Sequence, residues 1–193
     1  MKRSIFLLLM MICFLTSYGQ DTTAFTDNRD AKVYKTVVIR SQTWFAENLN
    51  YEMPNSWCIE CETYGRVYTY QAATQGCPLG WHLPSEAEWN VLTDFAGGRS
   101  VVGGNLKETG TAHWKTPNTG ATNSSGFTAL PHGYRSMNGA LNFKTKMGSW
   151  WSSTQNAKFP VNAWSLRLDY NNSEVSYVES DKNVGLSVRC IKD

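Results

Sequence analysis

The sequence predicts a disulfide-linked α+β domain with short strands, little helix and long irregular segments. Of 193 residues, 41% are hydrophobic and 13% are aromatic, which is enough apolar surface to build a core. From Gly103 onward, short apolar segments alternate with Gly, Asn, Ser and Pro clusters, a pattern typical of an irregular β region. One long amphipathic helical stripe, after Ser85, supplies the α part.

Residues 1–19 have the organisation of a secretory signal peptide. Lys2 and Arg3 precede an apolar stretch that is too short to span a bilayer, and small residues precede the expected cleavage after residue 19. Lipid attachment at Cys13 is the alternative, but an isoleucine stands before it where a small residue is expected. We therefore expect an exported protein that is secreted, periplasmic or at the cell surface, with no membrane span.

The charge balance of the mature chain argues against a polyanionic partner. Loss of residues 1–19 reduces the 18 Lys and Arg residues by two, to 16, which equals the 16 Asp and Glu residues. A net charge of zero gives no long-range attraction for nucleic acid. We expect no nucleic-acid partner.

Four cysteines remain after the signal peptide, and an even number in an oxidising compartment predicts two disulfides. We favour a tight Cys58–Cys61 loop and a Cys77–Cys190 bridge that joins the first half of the domain to its last strand. Cys58-x-x-Cys61 could also be a thiol redox motif or half of a zinc site. Both readings lack context, because the pair follows a loop and the three histidines are widely spaced.

The first predicted elements form a β-hairpin. Residues 20–32 are polar and turn-rich and predict a flexible tail, so the folded domain is expected over residues 33–193. Val33–Ile39 is rich in β-branched residues and Thr43–Ala46 resumes the pattern, which predicts two paired strands. Residues 48–61 are expected to form a loop.

The clearest local signal is a helix that begins at Ser85. Ser85 can cap the helix, and Glu88, three residues on, can complete a capping box. Apolar residues then recur on two neighbouring rows, through Trp89 and through Phe95, until a glycine pair ends the helix. A short strand or turn leading into a brief helix is expected over residues 65–73.

The second half of the chain contains five strand candidates. They are Phe127–Tyr134, Trp150–Ser153, Trp164–Tyr170, Val175–Val178 and Leu186–Ile191. Alternation is strict in the third, which places Leu166 and Leu168 on one face and Ser165 and Arg167 on the other. The two asparagines that follow predict a hairpin with the fourth candidate.

Seven ordered blocks of sequence carry a family resemblance. The blocks are Thr43–Tyr51, Tyr64–Thr69, Cys77–Trp89, Asn118–Asn123, Ser125–Pro131, Trp150–Thr154 and Gly185–Cys190. Together they resemble the Fibrobacter succinogenes major paralogous domain, a repeated bacterial surface family, over nearly all of residues 26–193. Leu83–Trp89 is also similar to formylglycine-generating enzymes. The resemblance implies a C-type-lectin-like fold with two short helices, mixed antiparallel sheets and a long loop-rich region.

The residues do not support catalysis or a metal site. Formylglycine-generating oxidases need a reactive cysteine pair before the last strand, and no cysteine lies between Cys77 and Cys190. Glu86 and Glu88, two residues apart on a helix, point to different faces, so capping explains them better than acid–base chemistry. The calcium motifs of sugar-binding lectins are absent. We expect no enzyme, no cofactor and no metal.

The loops that flank the regular hairpin supply the binding candidates. Trp81, Trp89, Trp150 and Trp151 are expected in the core, because they have apolar neighbours in predicted elements. The resemblance implies a binding surface near the hairpin loops. The candidate binding residues there are Gln155, Asn156, Lys158, Phe159, Asn162, Tyr170, Asn171 and Asn172.

These observations predict a non-catalytic binding module whose ligand is a carbohydrate or a surface protein. One alternative is a structural component of the cell envelope without a small ligand. Another is an enzyme of unrecognised mechanism.

Overall fold

The structure, a computed structural model, describes residues 22–95 and 97–193, and the predicted signal peptide lies outside this range. Within it, the fold is α+β, as predicted, with four helices rather than two. The helices are α1 Cys61–Tyr64, α2 Tyr70–Gly76, α3 Glu86–Phe95 and α4 Val102–Leu106. The strands are β1 Thr22–Thr26, β2 Val33–Ile39, β3 Gln42–Phe45, β4 Ser56–Trp57, β5 Val67–Tyr68, β6 Trp81–His82, β7 Tyr134–Arg135, β8 Leu141–Asn142, β9 Met147–Gln155, β10 Asn162–Asp169, β11 Val175–Asp181, β12 Leu186–Ser187 and β13 Ile191–Lys192.

The first sheet has the strand order β1-β2-β3-β13-β6 and contains the predicted hairpin. β2 and β3 pair antiparallel, with Ile39 opposite Gln42. Arg40, in the two-residue turn between them, adopts a left-handed φ of 58°. β2 alternates between exposed and buried positions over most of its length, as expected for a strand with one face on the core.

The segment predicted as a flexible tail contributes a strand to this sheet. β1 pairs antiparallel with β2 along its whole length. Phe25 holds β1 on the sheet, because its ring packs against two others. Its ring centroid lies 5.8 Å from that of Phe45 and 5.2 Å from that of Trp81. From Thr22 onward, aromatic packing and strand pairing therefore override the polar composition that predicts a tail over residues 20–32.

The second sheet has the strand order β11-β10-β9-β12-β5-β4. The predicted β10–β11 hairpin is present, with Leu168 opposite Val175. β9 pairs antiparallel with the other edge of β10, and the register shifts between Ala163 and Ser165. β12 joins β9 in parallel, so this sheet is mixed.

Two of the five strands predicted for the second half of the chain do not form as predicted. Leu186–Ile191 is not one strand, because the chain forms β12 in the second sheet and then crosses to form β13 in the first. Arg189 lies in the crossing, fully buried, and its guanidinium donates to Asn48 Oδ1 and to the Phe45 carbonyl. Phe127–Tyr134 is mostly irregular. Its regular pairing is limited to isolated bridges and the first residue of β7.

Two apolar clusters cover opposite faces of the second sheet. Leu166 and Leu168 belong to the first cluster, together with Trp89 and Trp150. Trp151, the next residue of β9, belongs to the second cluster. The four tryptophans predicted in the core, Trp81, Trp89, Trp150 and Trp151, are all buried.

The predicted capping box begins α3. The backbone N–H of Glu88 donates to Ser85 Oγ at 3.3 Å, and the Glu88 carboxylate accepts from the backbone N–H of Ser85 at 2.7 Å. The row through Trp89 is buried, as expected. The row through Phe95 is not, since Phe95 is 55% exposed. α3 therefore packs on the core with one apolar row rather than two.

Both predicted disulfides are present, one between Cys58 and Cys61 and the other between Cys77 and Cys190. The second links the end of α2 to the segment that crosses between the sheets. None of the described helices combines the length and the apolar character that a bilayer crossing requires.

Candidate functional site

Most of the predicted binding residues before β10 form the turn between β9 and β10. Asn156 is buried, and its Oδ1 accepts from the backbone N–H groups of Lys158 and Phe159 at 2.9 and 3.1 Å. Gln155 Oε1 accepts from Lys182 Nζ at 2.8 Å. Phe159 is 43% exposed. Asn156 therefore shapes the turn from inside, and Phe159 is the aromatic side chain that the turn presents.

Three of the predicted residues lie at the opposite end of β10. Tyr170, Asn171 and Asn172 lead into the turn before β11, where Asn172 Oδ1 accepts from the backbone N–H of Glu174 at 2.9 Å. Asn162 begins β10, which has eight residues. Its two ends are therefore about 23 Å apart at the usual rise of a strand. The structure does not bring the eight predicted residues together into one site.

Lys107 donates hydrogen bonds from the interior of the fold to the backbone around the turn between β10 and β11. It is fully buried, and its Nζ donates to the carbonyls of Asn172 at 2.8 Å, Thr119 at 2.9 Å and Asp169 at 3.1 Å. Burial lowers the pKa of Lys107 to about 8, against a small opposing effect of the Asp169 carboxylate. The backbone of this turn is thus tied to the interior of the fold. The carbonyls of Asp169 and Asn172 therefore accept a hydrogen bond from the fold itself rather than from a ligand.

A cleft of about 310 Å³ lies over the face of the second sheet that Ser165 and Arg167 occupy. We call it the sheet-face cleft. Its side chains from β7 to β11 include Tyr134, Phe143, Ser149, Ser165, Arg167 and Ser180. The second apolar cluster covers this face further along the sheet, at Trp151, and leaves the part beneath the β7–β8 hairpin open.

Two aromatic rings form one wall of the sheet-face cleft. The rings of Tyr134 and Phe143 are stacked, with centroids 6.1 Å apart and planes 20° apart. Phe143 is 55% exposed although it is a large apolar side chain. Its backbone has φ 57°, in the left-handed region that non-glycine residues rarely adopt. Such conformations cluster at functional sites, although eight other non-glycine residues of the described chain, Arg40 among them, also have a positive φ.

The floor of the sheet-face cleft is polar. Ser165 Oγ and Ser180 Oγ are hydrogen-bonded to each other at 2.9 Å. Arg167 donates through Nε and Nη2 to the Asp169 carboxylate, at distances from 2.8 to 3.1 Å. That pairing fixes the plane of the guanidinium, and its Nη1 has no hydrogen-bond partner among the described residues. The Ser165 hydroxyl is buried and also donates to the Val178 carbonyl, so the floor offers the Ser180 hydroxyl and a fixed cationic donor.

The sequence contained part of the signal for this site. The alternation of β10 placed Ser165 and Arg167 on the face away from the leucines, and these residues form the floor. Asn162 lies opposite Asp181, which also lines the cleft, so one predicted residue is at its edge. Phe143 was missed, because a lone aromatic residue in an irregular segment carries no periodic signal.

Two of the three histidines, His82 and His132, are held by hydrogen bonds within the fold. His82 lies between the Asp193 and Glu88 carboxylates, at 2.6 and 2.7 Å. Burial lowers the pKa of His82, but the hydrogen bonds to Asp193 and Glu88 outweigh it, so the net pKa is raised. His132 is fully buried and donates through Nε2 to the Ile59 carbonyl at 2.8 Å, and burial lowers its pKa. The His82 ring thus links Asp193 to Glu88, and the His132 ring is hydrogen-bonded to the Ile59 carbonyl in the interior.

Within residues 22–95 and 97–193, no group of three or more His, Cys, Asp or Glu side chains is placed to hold a metal ion. The four cysteines of this part of the chain are all disulfide-bonded. The described site therefore consists of aromatic rings, hydroxyls and an arginine, which are groups suited to binding an uncharged polar molecule.

Fold and site together define a disulfide-linked α+β domain with an open, partly aromatic cleft. The model of the Fibrobacter succinogenes major domain family matches residues 37–192, and the chain belongs to that family. Neither the curated proteins nor the solved structures gave a significant match.

Proposed function

We propose that this chain is an exported, non-catalytic binding module with a C-type-lectin-like fold, and that it holds a carbohydrate in the sheet-face cleft. One observation carries the proposal: a strained, exposed Phe143 stacks with Tyr134 above a floor of hydroxyls and one oriented guanidinium. The fold assignment is supported by the seven-block resemblance, the mixed sheet and the bridge from Cys77 to Cys190.

Carbohydrates have two kinds of surface that match such a cleft. The C–H face of a sugar ring is apolar and stacks on an aromatic ring, and its hydroxyls need fixed donors and acceptors in the same plane. Phe143 offers the apolar face. Ser180 and the Nη1 of Arg167 offer hydrogen bonds, whereas the buried Ser165 hydroxyl is occupied by the Val178 carbonyl and Ser180. The charges of Arg167 and Asp169 cancel locally, which favours a neutral sugar.

The absence of catalysis is proposed from the chemistry of the described groups. Covalent acyl transfer needs a nucleophile beside a base, and the formylglycine-generating oxidase reaction needs a reactive cysteine pair. Both ring nitrogens of His82 are held by carboxylates, and His132 is enclosed in the core. The four described cysteines are in disulfides and supply no thiolate. Two disulfides also support the proposal of export, because they persist in oxidising compartments.

A glycan array with the purified protein tests the proposal, and isothermal titration calorimetry on the hits gives affinities. Phe143→Ala should weaken binding about tenfold, the value of one aromatic stacking contact. Phe159→Ala is the matched control, because Phe159 is also an exposed phenylalanine but lies on the β9–β10 turn.

The reverse result, with Phe159→Ala weakening and Phe143→Ala not, would move the ligand to the turn that the sequence predicted. Silence across the array, with the fold intact by circular dichroism, would favour a structural envelope component or a protein ligand.

A further inference from the structure

A second cleft, separate from the first, opens between the first sheet and the small disulfide loop. Its volume is about 370 Å³, and it shares no lining residue with the sheet-face cleft. Its side chains include Glu47 at the end of β3, Glu62 on α1 and Glu108 after α4. We call it the acidic cleft.

Asn50 in the wall of this cleft has an unmet hydrogen-bonding group. The residue is 9% exposed, and its Nδ2 donates to the Cys61 carbonyl at 3.0 Å, which fixes the orientation of the amide. Its Oδ1 is buried and accepts no hydrogen bond from the described residues. A buried acceptor without a donor costs about 1–3 kcal/mol. A donor that reaches this wall of the cleft would recover that cost.

The carboxylates of the cleft also retain capacity to accept hydrogen bonds. Glu62 is exposed and forms no ion pair with a described residue. Glu47 lies 3.8 Å from Lys35, with both side chains well exposed, and it interacts electrostatically with the buried guanidinium of Arg189. Both oxygens of the Glu108 carboxylate lie within hydrogen-bond distance of His113 Nδ1, at 3.0 and 2.8 Å. Two of the three carboxylates are thus available to a ligand.

The cations of the cleft are already engaged with neutral oxygens. Lys32 Nζ donates to the Asn50 carbonyl at 2.6 Å. Arg189 is fully buried and directs its guanidinium at Asn48 Oδ1, the Phe45 carbonyl and the Phe127 carbonyl. The free hydrogen-bonding capacity of the acidic cleft is therefore mostly that of acceptors, with a negative rim.

We propose that the acidic cleft binds a group that carries a primary ammonium or a guanidinium. Such a group donates several hydrogen bonds. It also carries the positive charge that would pair with the carboxylates of Glu62 and Glu47. A divalent metal is the poorer fit, because the described part of the chain places no three metal-binding side chains together. The amine can come from a basic side chain of a partner protein or from an amino sugar, and both present the same group.

The test is a titration of the isotope-labelled protein followed by two-dimensional NMR of the backbone amides. The two cationic probes are Nα-acetyl-lysine methylamide and glucosamine. Their matched neutral probes are Nα,Nε-diacetyl-lysine methylamide and N-acetylglucosamine. We expect the cationic probes to shift the amide signals of Asn50, Glu62 and Thr63, and the neutral ones to leave them unchanged. A stronger response to one cationic probe identifies the source of the amine.

Glu62→Gln removes one charge from an exposed position and should weaken cationic binding about fivefold, as expected for a single ion pair. The control is Glu174→Gln, an exposed residue of the β10–β11 turn, which should leave the affinity unchanged. Equal binding of the neutral probes, equal weakening by both variants, or no shift with either cationic probe would each overturn the proposal. The proposal does not depend on the sheet-face cleft, so failure of one leaves the other standing.

Discussion

The two disulfides of this domain should contribute very differently to its stability. Cys77 and Cys190 are separated by 113 residues, whereas Cys58 and Cys61 are separated by three. A crosslink stabilises mainly by reducing the entropy of the unfolded chain, and the effect grows with the logarithm of the loop length. On that relation the long bridge contributes about 4.8 kcal/mol and the short one about 1.9 kcal/mol to the free energy of unfolding.

Urea unfolding of the Cys58→Ser/Cys61→Ser variant, with and without reductant, isolates the long bridge. In this variant reductant can break only the Cys77–Cys190 bond, and no new hydroxyl enters the core at position 190, which is fully buried. With a urea m-value of about 2 kcal/mol/M, we expect the unfolding midpoint to fall by about 2.4 M. Removal of the short bridge alone should lower it by about 1 M.

The reference for the long bridge is the oxidised variant, and the reference for the short bridge is the oxidised wild-type protein. The reasoning is refuted if reductant lowers the midpoint of the variant by less than the loss of the short bridge lowers that of the wild type. A variant that unfolds on reduction without any urea would show a loss at least as large as its own free energy of unfolding in the oxidised form.

Two further predictions concern buried or bridging charges. Lys107→Met should reduce the free energy of unfolding by about 3 kcal/mol, because three backbone carbonyls lose their donor. The control is Lys146→Met at an exposed position, which should change the free energy of unfolding by less than about 0.5 kcal/mol. Urea unfolding measures both values. The pKa of His82 is raised in the folded state, so its contribution to stability is complete below its ordinary value of 6.5 and is lost as pH rises through the raised value. The stability difference between wild type and His82→Gln should therefore be larger at about pH 6 than at about pH 9, and an equal difference would contradict the assignment.

Local signals in the sequence were the ones that the structure confirmed. The capping box at Ser85 and Glu88, the β10–β11 hairpin and the core positions of the tryptophans depend on neighbours within a few residues or on a simple period. The pairing of the cysteines was also accessible, because four thiols allow few combinations. These features need no knowledge of which distant segments meet.

Features that depend on distant segments were missed or mistaken. β1 exists because Phe25 finds Phe45 and Trp81, and residues 186–191 divide between two sheets with Arg189 enclosed at the crossing. The binding residues proposed from loop composition lie at both ends of β10, and their role in binding stays a prediction. Exposure and polarity do not tell how far apart two turns will be.

The amino-acid sequence by itself determined the family, the number of bridges, the α3 helix and the polar face of β10, since each follows from residue order over a short stretch or from a count. Only the tertiary structure decided that Phe143 stands over that polar face and that three glutamates gather beside Asn50. A cleft is formed by side chains from segments that are remote in sequence. Their meeting is fixed by the packing of two sheets around shared apolar clusters, which no local pattern encodes.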